Sequence, residues 1–219
     1  MDNSFLERKD LPFREKVQNF FSYYKYRVLA AVLAVIAVCV TVRSCASRKD
    51  YDLCVVVNFG RKLETEVSEN ISAELQKICP DFNGDGKISV KVSDCSYSRD
   101  DYKLSGDYST FTAVESKFYA SFGSEENMIF LLSEDVLNDI SSKVQYKEGV
   151  VDGDKIPLAG TSLEKAVCGN SGTTLDDCFL FCRTLTGSVS EKKNAKSYHS
   201  NAEKFVAEYK KSVQSQTGN

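Results

Sequence analysis

The chain reads as an α/β protein: one N-terminal transmembrane helix, then a single extracytoplasmic α/β domain whose mostly parallel sheet is covered by helices. Three observations predict this. The run Val28–Val42 is wholly apolar and contains no charge, glycine or proline. Beyond residue 50, continuous apolar segments such as Tyr51–Phe59 and Met128–Leu132 have the composition of strands buried on both faces. Segments with apolar residues at helical spacing lie between them, and such alternation predicts parallel strands joined by helices.

Fifteen residues of helix span about 22 Å, less than a hydrocarbon core of about 30 Å. Extending the segment to residues 23–44 closes the gap, because Lys25 and Arg27 can snorkel to the headgroups and Phe20, Phe21, Tyr23, Tyr24 and Tyr26 supply an aromatic belt. Two rivals stand beside the anchor: a cleaved signal peptide ending near Ser44-Cys45-Ala46, and a lipoprotein acylated at Cys45. The long, partly acidic and helix-like region before the run argues against the first. Arg43, where a small or apolar residue is expected, argues against the second. Lys and Arg counts on the two flanks favour a cytoplasmic N-terminus, with the larger part outside. The expected organisation is therefore 1–27, a cytoplasmic or interfacial amphipathic helix; 28–44, the span; 45–50, a linker; 51–213, the outer domain; and 214–219, a disordered tail.

In the first segment Asp10 suits an N-cap, Pro12 suits the first turn, and Phe13, Val17, Phe20 and Tyr24 share one face. With no glycine or proline over 13–44, this helix either runs on into the span or lies flat on the inner leaflet. Within the span, Ala30, Ala34, Ala37 and Thr41 form a small-residue stripe along which two copies can pair as a homodimer.

In the outer part, Leu63, Val67, Ile71, Leu75 and Ile78 mark a helix stopped by Pro80, and Ile88–Ser93 alternates as a strand. Residues 96–108 read as a loop. Ser109 or Thr110 caps a helix bearing Phe111, Val114, Phe118 and Phe122, and Ser133 caps a short helix through Ile140. After an irregular stretch, Cys178–Arg183 is a strand. A last helix starts at Asn201 and turns Phe205, Val206, Tyr209 and Val213 inward.

Residues 1–48 carry a balance of +4 and residues 49–219 one of −7. An acidic outer domain has no basic footprint for nucleic acid, and mild acidity serves solubility. The sharpest motif is Asp81-Phe82-Asn83-Gly84-Asp85-Gly86-Lys87-Ile88, the first half of an EF-hand calcium loop. Asp81, Asn83 and Asp85 would give side-chain oxygens, Lys87 a carbonyl, and Ser89 a bridging water. Position 12 is Val92 where a bidentate carboxylate belongs, so Asp94, Asp100 or Asp101 would have to complete the shell. The alternative is a tight turn, favoured by Asn-Gly and Asp-Gly.

Seven cysteines follow the span, an odd number, and Cys178 and Cys182 lie too far apart along a strand to bond to each other. Cys54, Cys178 and Cys182 read as small buried hydrophobes, and no bridge is assigned. No Cys-x2-Cys pair exists, and His199 is the only histidine. A structural zinc site and histidine-based catalysis therefore have little to build on. Gly169-Asn170-Ser171-Gly172 misses the nucleophile-elbow spacing by one place.

The run from Phe13 to Leu29 leading into the span, together with Asp81–Ile88 and the phrase Glu126-Asn-Met-Ile-Phe-Leu-Leu-Ser-Glu-Asp-Val-Leu, resembles uncharacterised single-pass membrane proteins of Gram-positive anaerobes. Their outer part is similar to one lobe of an extracellular solute-binding protein. The resemblance implies a strand followed by a loop and helix at a cleft rim. About 170 residues is too small for two lobes, so no ligand residue is carried over. The expected function is a membrane-anchored, non-enzymatic extracytoplasmic binding or interaction module, with the lipid bilayer and an outer ligand or membrane protein as partners. The alternatives are an outer enzyme with an acid-based or Cys/His site, and a structural assembly factor of the envelope. The cleft is expected near the C-terminal ends of Tyr51–Phe59 and Met128–Leu132.

Overall fold

The structure is a computed structural model describing residues 13–46, 50–98, 100, 103, 106–142, 155–169 and 174–217; within 13–46, side chains are described for Tyr24 and residues 26–41. The chain divides into two compact units, Met1–Lys49 and Asp50–Asn219.

The first unit contains helix α1, Phe13–Ala46, 34 residues and therefore about 51 Å long. It runs unbroken across the expected boundary at residue 27, as the absence of glycine and proline dictates. Asp10 and Pro12, and the side chains of Phe13, Val17 and Phe20, lie outside the described residues. Leu29, Val32, Leu33, Val35, Ile36, Val38 and Val40 are each 49–63% exposed, so the helix is apolar around its whole circumference. Thr41 donates its hydroxyl to the Ala37 carbonyl at 2.8 Å, which satisfies it without water. Arg27 stacks over the Tyr24 ring at 5.7 Å. Among the described residues no helix is long and apolar enough to cross a membrane; the described side chains of α1 stop at Thr41, before Val42 and Arg43.

The second unit is built on a five-stranded sheet in the order β2-β1-β3-β5-β4. The strands are β1 (Leu53–Asn58), β2 (Val90–Asp94), β3 (Asn127–Ser133), β4 (Ile156–Pro157) and β5 (Cys178–Cys182). The helices are α2 (Thr65–Gln76), α3 (Tyr108–Ser121), α4 (Glu134–Ser142), α5 (Ser162–Cys168), the short α6 (Gly187–Ser190) and α7 (Ala195–Thr217). β1 pairs in parallel with β2 and β3. β5 is antiparallel to β3 and to β4. The mostly parallel expectation is thus met with one strand reversed. β4 arises from the stretch read as irregular; its two residues carry no period, and Pro157 is tolerated because the strand is an edge.

Every residue of β1 is buried, which explains its unbroken apolar sequence. On one face Val55, Val57, Ile129, Leu131 and Leu180 pack with Ile71 and Leu75 of α2, Leu163 of α5, and Phe205 and Tyr209 of α7. On the other, Val56, Phe130, Leu132 and Phe181 pack with Phe118 of α3 and with Val136, Leu137 and Ile140 of α4. Phe122 stacks on Phe130 with ring centroids 4.9 Å apart. Helices therefore cover both faces of the sheet.

Three local expectations change. α3 is capped by Asp107 rather than Ser109 or Thr110, its carboxylate accepting the Thr110 amide at 3.1 Å. α7 begins at Ala195, six residues before Asn201, because buried Ala195 and Ala202 extend the inward stripe toward the N-terminus. It also continues to Thr217, through the stretch from 214 expected to be disordered; residues 218–219 lie outside the described residues.

The start of β1 is tied down by one buried carboxylate. Asp52 is 3% exposed. Its Oδ1 accepts the amides of Phe82 and Asn83 at 2.8 and 3.1 Å, and its Oδ2 accepts the Ser89 amide at 2.8 Å. Its own amide donates to the Ser89 carbonyl at 2.9 Å, aligning β2 beside β1. Removing this acceptor strands three amide donors. Asp52→Ala is expected to lower the unfolding free energy by on the order of 3 kcal/mol in urea denaturation, with Asp52→Asn, which keeps one oxygen, losing less. An Ala variant as stable as the parent would show that water replaces the carboxylate.

Candidate functional site

The connection from β1 through α2 places β2 on one side of β1, and the connection from β2 through α3 returns the chain to the other side as β3. α2 lies on one face of the sheet and α3 on the other. Helices leaving on opposite faces open a crevice beyond the carboxyl ends of the strands, here between β1 and β3.

The chain turns sharply after β1. Gly60 has φ +66°, a conformation that side chains resist, and its amide donates to Asn58 Oδ1 at 3.1 Å. The Phe59 amide donates to Ser96 Oγ at 3.3 Å, and the Cys95 amide to the Val57 carbonyl at 2.8 Å, which holds the chain after β2 against this turn. A cleft of about 230 Å3 lies here. Phe59 and Gly60 line it from the turn after β1, Tyr97, Ser98 and Asp100 from the segment after β2, and Ser133, Asp135, Val136 and Asp139 from the end of β3 and α4. Asp177 completes the lining. It precedes β5, and because that strand is antiparallel, with Cys178 opposite Ser133, its first residues sit at the carboxyl ends of β1 and β3.

Ser133 stands out within this cleft. The sequence assigns it as the cap of α4, but its hydroxyl forms no hydrogen bond although the residue is only 3% exposed. It is instead the last residue of β3, and a β-carbon built on Gly60 would lie 3.4 Å from its Oγ. The Asn58 side-chain nitrogen is likewise buried without a partner. Its described acidic residues are Asp100, Asp135, Asp139 and Asp177; Arg99, between Ser98 and Asp100, lies outside the described residues. Asp100 pairs with Lys103 at 3.1 Å, and Asp139 accepts from the Tyr119 hydroxyl at 3.3 Å.

Two further clefts lie nearby, one of which shares Tyr97 and Ser98 with it. One of about 540 Å3 adjoins Tyr97 and Ser98 and reaches Lys62, Asp107 and Phe111. The amide and hydroxyl of Thr110, with the Ser109 hydroxyl, hold the Asp107 carboxyl below its ordinary range. The other, of about 390 Å3, is lined by Arg61, Lys62, Glu64 and Cys168. Arg61, in contact with Cys168, opposes the upward push that burial gives this thiol.

The sequence-nominated calcium residues lie elsewhere, at the opposite end of β1. Asp81 Oδ1 accepts the Gly84 amide at 2.7 Å and its Oδ2 the Gly86 amide at 2.9 Å. Asn83 Oδ1 accepts the Asp85 amide and Asp85 Oδ1 the Lys87 amide, at 2.9 and 2.8 Å. The Ser89 amide is held by Asp52. The segment has the geometry of a hydrogen-bonded turn. Val92, at the position that needs a carboxylate, packs against the core, and Asp101 lies outside the described residues. Among the described residues no three His, Cys, Asp or Glu side chains are grouped to hold a metal ion.

His199 sits within α7 with Nδ1 3.6 Å from Glu203 and lines none of the three clefts. Cys39, Cys54, Cys79, Cys95, Cys168, Cys178 and Cys182 are free thiols; the Cys45 side chain, and Asn170 and Ser171, lie outside the described residues. Burial pushes the Cys79, Cys178 and Cys182 thiols up to about 12 and Cys54 to about 11.

Two outcomes follow. The unfolded thiols ionise from about 9 while the folded ones stay neutral, so stability is full below pH 9 and falls as pH rises from 9 toward 12. The slope is on the order of 1 kcal/mol per pH unit per buried thiol, read from urea midpoints between pH 8 and 11. A flat profile refutes the buried thiols. Thermal melts in millimolar calcium and in chelator test the calcium expectation, because each loop oxygen that accepts one amide keeps a second lone pair; coincident melts would leave a turn alone. A rise with calcium that Asp81→Ala abolishes would establish an ion site. Comparison with family models, curated proteins and solved structures finds no match, so the reading of the cleft rests on its own residues.

Proposed function

We propose that this chain is a membrane-anchored extracytoplasmic binding module without catalytic turnover, its ligand taken up in the cleft between the carboxyl ends of β1 and β3. The observation that carries the reading is the coincidence of that crevice with Ser133, whose buried hydroxyl has no protein partner. Nearly all buried polar atoms are hydrogen-bonded, so an orphan just behind a cleft wall supports a partner arriving from the cleft.

The cleft also bears on catalysis. The Cys178 thiol donates to the cleft residue Asp177 at 3.6 Å, but burial and that carboxylate push the thiol up to about 12, so it is held as a neutral thiol and not as a thiolate nucleophile. This supports binding over thiol chemistry.

The anchor is supported by α1. Its exposed apolar circumference over residues 29–40 needs covering, and residues 23–44, with Lys25 and Arg27 able to snorkel to the headgroups, have the length to cross a bilayer. A cytoplasmic N-terminus then places the acidic domain of 50–219 outside, where its ligand is an extracellular solute or a neighbouring membrane protein.

Full-length chain is expected to remain in membranes washed with alkaline carbonate, and Leu33→Asp/Ile36→Asp to move it largely into the wash. Protease added to intact cells is expected to digest the domain beyond residue 50. Release of the parent chain by carbonate, or protection of that domain in intact cells, would overturn the anchor or its orientation.

A further inference from the structure

Resting on the outer placement of residues 50–219 given above, we propose that Cys168 and Cys178 are the disulfide-forming pair of this chain, and that their bond ties the end of α5 to the start of β5.

The two thiols meet at one turn. Cys168 ends α5 and lines the cleft of about 390 Å3 together with Arg61 and Lys62, which follow β1. Cys178 opens β5 opposite Ser133, and the Ser133 hydroxyl lies against Gly60 of that same turn. Both cysteines belong to the apolar cluster beneath α2, α5 and α7, so they share one face of the sheet as well as one end. Arg61 donates to the Cys168 sulfur, and its charge reaches Cys178 too. The segment between them is anchored: Glu164 of α5 accepts the Leu175 amide at 2.8 Å, and the Leu175 carbonyl accepts the Cys178 amide at 3.0 Å.

No other two described cysteines of this unit share both face and end with each other across the fold. Cys95 packs on the opposite face. Cys54 and Cys79 stand at the start of β1, the first paired with Asn127 and the second beside Asp52. Cys182 is four residues along β5 from Cys178, about 13 Å away.

The surroundings divide the chemistry. Cys168 faces a cleft that an oxidant can enter, and Arg61 favours its thiolate. Cys178 is 2% exposed, neutral at rest, and donates to the Asp177 carboxylate at 3.6 Å. With a low-molecular-weight disulfide as oxidant, the Cys168 thiolate attacks one of its sulfurs and expels a thiolate, leaving a mixed disulfide. Cys178 then attacks Cys168 Sγ as its proton passes to Asp177, and the second thiolate departs. Two electrons go to the oxidant, and its two thiolates take up the two protons released by the cysteines. A compartment outside the cell sustains such a bond.

The test is peptide mapping of the full-length protein in detergent micelles, purified with reductant, treated with oxidised glutathione and then alkylated. The expected result is a linked Cys168–Cys178 peptide as the dominant cross-link. The melting midpoint is expected to rise by about 5 °C and to fall back with dithiothreitol. Cys178→Ala is expected to stop at a glutathione adduct on Cys168, and Cys168→Ala to leave Cys178 unmodified. Equal adducts in the two variants would overturn the order of attack. Absence of the linked peptide from the oxidised parent, or a cross-link between other cysteines in its place, would overturn the proposal without reference to any variant. Acid quenching of intact cells with N-ethylmaleimide isolates the placement. The linked peptide in chain from cells supports both readings, whereas a pair that glutathione links in vitro but cells keep reduced would overturn the outer placement alone.

Discussion

Burial of β1 on both faces is the constraint on which the outer unit depends. A strand with no exposed residue has no solvent side, so it requires partner strands on both edges and helices above and below. β2 and β3 supply the edges; α2, α5 and α7 cover one face and α3 and α4 the other. The two ends of β1 then carry the polar features of the molecule. At its start the Asp52 carboxylate gathers three amides of the 82–89 segment. At its end Asn58 and Gly60 shape the turn that opens the cleft.

The two ends of β1 differ in how they are encoded: a local motif stands at one, and the cleft at the other has no motif at all. The oxygens of Asp81, Asn83 and Asp85 hold a turn together so that the chain can enter β2 beside β1. The cleft, by contrast, draws on residues 59 to 177, mostly single aspartates and serines. Each suits a helix start or a loop when read alone. Only their convergence is informative, and convergence is a property of the sheet.

α1 poses a different physical problem. An apolar helix with its side chains more than half in solvent is not a resting state for a protein in water, because roughly 25 cal/mol is gained for each Å2 of that surface covered. On the anchor proposed above, lipid completes it. The internal bond from Thr41 to Ala37 is the kind of satisfaction that hydrocarbon surroundings require.

The sequence by itself determined the α/β class, the continuous apolar β1 and β3, the helices bearing Ile71 and Leu75 and bearing Phe118, and the long α1. All of these follow from local period and breaker residues, which act within a turn or a strand. It left undecided the length of α7, the use of Asp107 rather than Ser109 as a cap, the two-residue β4 and the direction of β5. Those depend on contacts between residues far apart in the chain. The direction of β5 matters most. Run antiparallel, it brings Asp177 to the cleft and carries Arg183 to the far end of the sheet, beside Met128 and Phe122. A parallel β5 would have brought the arginine to the cleft instead. The placement of Asp177 at the cleft is thus a tertiary fact, because the pairing between β3 and β5 sets the strand's direction.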